Sequence, residues 1–193
     1  MSTLLPLVLV ALLSAAPDAG TPSPRAHALA AAAMKQVGVT TRYDPAYLTL
    51  AYPGGDVPTD RGVCTDVVVR AFRELGIDLQ VELHEDMKAH FSSYPALWKL
   101  SHADPNIDHR RVQNLRVWFA RKGKEVPITT RGEDYWPGDL VTVNVGNLAH
   151  IMIVSTTLAP GGGRYLIVHN IGAGTQVEDR LFEFPITGHY RPI

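Results

Sequence analysis

Gly62-Val63-Cys64-Thr65-Asp66-Val67-Val68-Val69-Arg70-Ala71-Phe72-Arg73-Glu74-Leu75-Gly76 is the stretch on which the fold turns. Val63, Val67, Val68, Ala71, Phe72 and Leu75 recur at helical spacing, so they share one apolar face. The valine triplet alone would also suit a strand, but the Arg-Ala-Phe-Arg-Glu-Leu-Gly ending reads as a helix closed by Gly76. Asp60 is the expected cap. Cys64, the only cysteine of the 193 residues, then lies in the first turn. Unpaired amides and the helix dipole favour negative charge there, which lowers a thiol's pKa.

Working outward, Ser23 caps a helix with Pro24 at its first position and Gly38 as its stop. Residues 39–62 are rich in turns, notably Tyr43-Asp44-Pro45 and Tyr52-Pro53-Gly54-Gly55-Asp56, and such a long connection is functional or disordered. The tyrosines and glycines favour an ordered loop. A third helix is expected over 82–91 on Leu83, Met87 and Phe91. A fourth follows Asp108 as cap, with Val112, Leu115 and Phe119 as its stripe and Gly123 as its end. Beyond it the pattern changes to short β-branched runs at 139–145, 149–155 and 165–170. Gly146-Asn147 and Pro160-Gly161-Gly162-Gly163 separate them, which are hairpin signals. A last strand is expected over 181–190. Helices followed by antiparallel strands predict a single α+β domain over 21–193, with N-terminal helices packed on the sheet.

Residues 4–13 are almost continuously apolar and precede Ser14-Ala15-Ala16, the pattern of a secretory signal covering 1–20 rather than of a membrane span, which needs roughly 20 apolar residues. A periplasmic or secreted location is therefore expected. The 18 basic and 19 acidic side chains argue against a nucleic-acid binder. Asp104-Pro105-Asn106-Ile107-Asp108 imitates a calcium loop but has His109 at its sixth position and Leu115 at its twelfth, where Gly and Glu are required. The histidines lack zinc-ligand spacing. No metal or cofactor is expected.

An exported cysteine without an intramolecular partner has either a packing role or a chemical one. His150 opens the apolar strand Ala149-His150-Ile151-Met152-Ile153-Val154, and His169 closes Tyr165-Leu166-Ile167-Val168-His169. If these strands pair through the Gly-rich hairpin, His169 reaches His150 and orients it, as the third member of a catalytic triad does. Each histidine alone more often serves structure; the pair with Cys64 upstream reads as a nucleophile and its base. Asp66 has a bland alternative, an ion pair with Arg70 along the helix.

The order Tyr-x-Gly-Gly, Cys at a helix start, Pro137-Gly138-Asp139-Leu140-Val141, His150-Ile151-Met152-Ile153-Val154 and Val168-His169 resembles the NlpC/P60 branch of papain-like cysteine peptidases. Residues 36–191 resemble more closely a bacterial family of unknown function, DUF1287. The stretches Tyr52-Pro53-Gly54-Gly55-Asp56-Val57-Pro58, Gly62-Val63-Cys64-Thr65-Asp66, Asn106-Ile107-Asp108-His109-Arg110-Arg111-Val112, His169-Asn170-Ile171-Gly172 and Gly188-His189-Tyr190-Arg191 carry that likeness. The resemblance implies a papain-like domain in which Cys64 is the nucleophile, His150 the base, His169 the orienting group and Tyr52 the oxyanion donor. At the nucleophile the peptidases usually read Asp-Cys-Ser-Gly, whereas Val63-Cys64-Thr65-Asp66 puts an acid two residues after the thiol.

The expected function is a cell-envelope cysteine hydrolase that cleaves an amide bond in peptidoglycan peptides. Asp56, Asp66, His109, Arg110, Arg111 and Asn170 are candidates for binding the wall peptide, since arginines hold stem carboxylates well. Two alternatives share the fold: a binding module that holds a wall peptide without cutting it, and an acyl or amide transferase.

Overall fold

The computed structural model describes residues 20–193; the expected signal segment lies outside them but for its last residue. Ser23 accepts the Ala26 amide at 3.0 Å and Pro24 follows it, which starts α1 (Pro24–Met34). Leu29, Ala30 and Ala33 of α1 are buried. At Gly138 a Cβ would fall 2.4 Å from the Ala26 carbonyl oxygen, so glycine there lets the first turn of α1 press on the sheet.

The long loop holds two short strands that the periodicity does not announce. β1 (Arg42–Tyr43) and β2 (Arg61–Gly62) pair in parallel. Asp60 belongs to that pairing and not to a helix cap. Its carbonyl accepts the amides of Thr41 and Arg42 at 2.9 and 3.1 Å, and its carboxylate pairs with Arg42 and Arg61. Extended backbone therefore continues to Val63, and α2 runs Cys64–Glu74. Asp66 reaches back to the Val63 amide at 2.7 Å, one half of a capping box. Gly62 has φ 156°, and a Cβ there would meet the Asp66 Oδ2 at 2.9 Å.

Asp78 caps α3 (Leu79–His90) through the Gln80 amide at 3.1 Å, so this helix starts earlier than its apolar stripe indicates. Asp108 does not cap the fourth helix. Its carboxylate takes the Asp104 amide, a 3-10 turn spans Asp108–Arg110, and α4 (Val112–Arg121) begins beyond Arg111.

Five strands follow: β3 (Leu140–Val145), β4 (Leu148–Leu158), β5 (Tyr165–Asn170), β6 (Thr175–Glu178) and β7 (Ile186–Tyr190). They form an antiparallel sheet in the order β6-β5-β4-β3-β7. Gly146-Asn147 make the two-residue turn, with Val145 opposite Leu148. β6 is unannounced, and β7 is shorter than the expected run because residues 181–183 form a turn.

The alternation along each strand divides the core. Leu140, Ile151, Ile153 and Val168 face the helices and meet Leu29, Val68, Phe72, Leu115 and Phe119. Val141, Val143, Met152, Val154 and Ile167 face the other way, against Tyr135 and Leu181. Burying one such Val, Leu or Phe contributes about 1.5–3 kcal/mol. The expected α+β arrangement, helices against one face of an antiparallel sheet, is the one observed. Asp139 secures the last strand, accepting from Arg191 at 2.9 and 2.7 Å and lying 2.8 Å from His189 Nε2.

Candidate active site

Cys64 is the first residue of α2, and its side chain is 6 % exposed. Burial pushes the thiol up to about 11, against the opposing pull of the Ile151, Thr65 and Cys64 amides; the Asp66 charge adds to the rise. The helix start thus surrounds the sulfur with donors, yet desolvation wins, and the group is a thiol at neutral pH. The Ile151 amide acting on it belongs to β4, in the peptide unit that follows His150. α2 therefore sets the sulfur against the main chain of β4. Among the described residues the thiol has no hydrogen-bonded imidazole.

His150 lies on β4 and His169 on β5. In the β4–β5 register Ile153 faces Val168, so His150, Met152 and His169 share the sheet face away from the helices. His150 Nε2 is 2.8 Å from His169 Nδ1, and His169 Nε2 is 2.7 Å from Glu178 Oε2. The two rings meet edge to face at a centroid distance of 5.0 Å.

The protons along this row follow from its last member. A carboxylate only accepts, so His169 Nε2 carries hydrogen toward Glu178. Burial holds His169 below its ordinary value, with the Glu178 hydrogen bond opposing, and a neutral His169 presents a bare Nδ1. His150 Nε2 then donates to it, which leaves His150 Nδ1 with a free lone pair. Burial, and the charges of His169 and Arg180, drop His150 to about 3. His150 is thus a neutral ring with one nitrogen available as a proton acceptor.

The hydroxyl of Tyr52 donates to Glu85 on α3 at 2.9 Å, and its ring packs edgewise on His84 at 5.1 Å. The phenol expected at the thiol thus has its hydroxyl engaged by Glu85. Tyr43 on β1 pairs with Gly62, two residues before the thiol; burial raises its hydroxyl, and Cys64 and Asp66 act in the same direction.

Most of the expected peptide-binding side chains are taken up internally. Asp66 binds Arg110 at 2.9 and 3.1 Å, not Arg70, and Arg110 also donates to the Ala46 and Asp44 carbonyls at 2.8 and 3.1 Å. Asp56 binds Arg70 at 2.8 and 3.1 Å. Asn170 donates to the Gly62 and Arg42 carbonyls at 2.9 and 3.2 Å, which holds the segment leading to Cys64 against β5. His109 is buried, and desolvation drops it to about 4. Arg111 differs and makes no side-chain hydrogen bond to the described residues. Glu178 escaped the sequence reading because β6 did; its signal is the Thr175-Gln176-Val177-Glu178 alternation after Gly174. Among the described residues no three His, Cys, Asp or Glu side chains converge as metal ligands do.

An antiparallel sheet backed by helices, with a thiol at a helix start and a histidine row on the adjoining strand, is the frame on which comparison with known proteins bears. The chain matches the family described as "Domain of unknown function (DUF1287)" over residues 30–192, and it belongs to that family. It is 53% identical over 165 residues to the uncharacterized protein YijF of Escherichia coli (strain K12), a match covering 85% of this chain and 80% of that protein. No solved structure matches the chain.

Proposed function

We propose that this protein is a papain-like cysteine hydrolase of the cell envelope that cleaves an amide bond in wall peptides. The observation carrying this reading is the His150–His169–Glu178 row, whose hydrogen bonds leave His150 Nδ1 as a proton acceptor on the strand that touches the sulfur. In this mechanism the Cys64 thiol and the His150 ring, which rest on opposite sides of β4, come together around the bound peptide. Cys64 then attacks the carbonyl carbon as its proton passes to His150. The tetrahedral oxyanion is met by amides at the start of α2, with Tyr43 as the nearby phenol. Collapse expels the amine, which takes the proton from His150, and water hydrolyses the thioester to restore the thiol.

Wild-type protein should release peptide fragments from purified sacculi, read by mass spectrometry, and Cys64→Ala and His150→Ala should each abolish release. Full activity in either variant refutes the mechanism. The buried neutral thiol favours one second reading, a module that holds wall peptide without cutting it. Binding to sacculi that survives Cys64→Ala, with no turnover by wild type, selects that reading.

A further inference from the structure

Between α3, the segment after it and the start of α4 lies a cavity of about 120 Å³ walled by Met87, Phe91, Tyr94, Trp98 and Leu100, with Arg111 in its lining. Arg111 is anomalous among the well-buried arginines. Arg110 and Arg70 spend their donors on carboxylates and carbonyls. The Arg111 side chain is only 16 % exposed, yet among the described residues its sole ionic contact is Asp108 at 3.9 Å. Its Nη1 is buried without a hydrogen-bond partner among the described residues, as is the Oδ1 of Asn114, a residue that also lines the cavity and is 1 % exposed. The guanidinium stacks on the Trp98 ring, 3.9 Å from its centroid, which fixes its plane.

A largely desolvated guanidinium without hydrogen bonds is unfavourable unless something pairs with it. We propose that this cavity is a binding site for a small monocarboxylate bearing an apolar substituent, the chemistry of an alanine-like residue at a peptide C-terminus. The carboxylate forks onto Arg111 over the Trp98 ring, and the apolar substituent fills the space against Met87, Phe91 and Leu100. A phosphate dianion fits less well. It would meet a single cation with the Asp108 carboxylate close by and the Asp104 charge acting on the same guanidinium. The site stands whether or not Cys64 is a nucleophile, since no residue of the histidine row belongs to it.

Isothermal titration of the wild-type protein with N-acetylalanine, N-acetylalanine amide and free alanine tests the site. The acid should bind at least about tenfold more tightly than its amide, a difference of about 1.4 kcal/mol. Binding should shift the Trp98 indole N–H signal in nitrogen-15 spectra. Arg111→Met should abolish binding of the acid, and Arg111→Lys, which keeps charge without the fork, should weaken it. Tighter binding of N-acetylalanine than of alanine assigns the site to peptide ends, and the reverse order assigns it to free amino acids. Equal affinity for acid and amide, unchanged affinity in Arg111→Met, or no saturable binding up to about 10 mM overturns the proposal. The acid–amide comparison uses wild type alone and is independent of how the variants fold.

Discussion

Asp66 grips Arg110 through both carboxylate oxygens, at 2.9 and 3.1 Å, and one of those oxygens also holds the Val63 amide. The side chains are 3 % and 2 % exposed. One buried ion pair thus joins the start of α2 to the turn before α4 and to the carbonyls of the tyrosine loop. Removing one partner leaves the other charge buried alone, which costs about 3–5 kcal/mol. Arg110→Ala and Asp66→Ala should each lower unfolding free energy by that amount in urea titrations. Arg110→Lys should recover little, because a single ammonium cannot serve two oxygens and two carbonyls. A loss under about 1 kcal/mol would place the pair among weak surface contacts.

Cys64 predicts its own chemistry with pH. Burial raises the folded thiol from 9.0 to about 11. The unfolded chain releases this proton first, so the stabilisation is complete below pH 9 and is lost as pH rises toward 11. The difference is on the order of 3 kcal/mol. Wild type should therefore lose stability relative to Cys64→Ala across that interval in paired denaturant titrations. Iodoacetamide should label the native thiol slowly at pH 7, and labelling should accelerate in denaturant. Fast native labelling at neutral pH would show a thiolate and contradict the buried thiol.

Activity should report the proton arrangement of the histidine row. His150→Ala should reduce kcat by about 10²–10⁴-fold, the usual contribution of a positioned general base. Glu178→Gln can reverse the proton on His169 and so block His150 Nδ1. A loss of about tenfold or more in kcat with little change in KM is expected. Because His150 falls to about 3, the acid limb of the kcat/KM profile should lie below pH 5. An acid limb near pH 6.5 would mean that a different group supplies the base.

Buried histidines held below their ordinary value, His150 and His109 most strongly, make the fold acid-sensitive. His150 falls to about 3 and His109 to about 4, both from 6.5 and both through desolvation first. Above pH 6.5 neither state binds the proton. Between 6.5 and these values only the unfolded chain does, so stability falls on acidification. His109→Gln should flatten the decline between pH 6.5 and 4 by a few kcal/mol at most. An unchanged slope in urea titrations would remove His109 from this account.

Local chemistry was legible in the sequence where it decides the outcome alone. Ser23 with Pro24 starts α1, Gly146-Asn147 turns β3 into β4, and the apolar alternation around His150 and His169 sets both on one sheet face. Interactions between distant residues were not. Asp60 has ideal cap chemistry but is held just before β2, where its carbonyl accepts the amides of Thr41 and Arg42. Arg110 and Asp66 are 44 positions apart, so the helical neighbour Arg70 looked the natural partner. Tyr52 precedes the glycines that the peptidase pattern marks, whereas the pairing of Tyr43 with Gly62 follows from the chain path and no motif announces it. Glu178 was hidden because a four-residue strand between glycines and a turn carries too short a period to read.

Asn170, adjacent to His169, laces β5 to the Gly62 carbonyl two positions ahead of Cys64. One amide side chain therefore couples the backbone beside His169 to the backbone leading into Cys64. Any breathing of β5 carries the Gly62 segment, and with it the start of α2, in the same direction. The tyrosine loop is drawn into the same assembly from its other side, because Arg110 holds its Asp44 and Ala46 carbonyls.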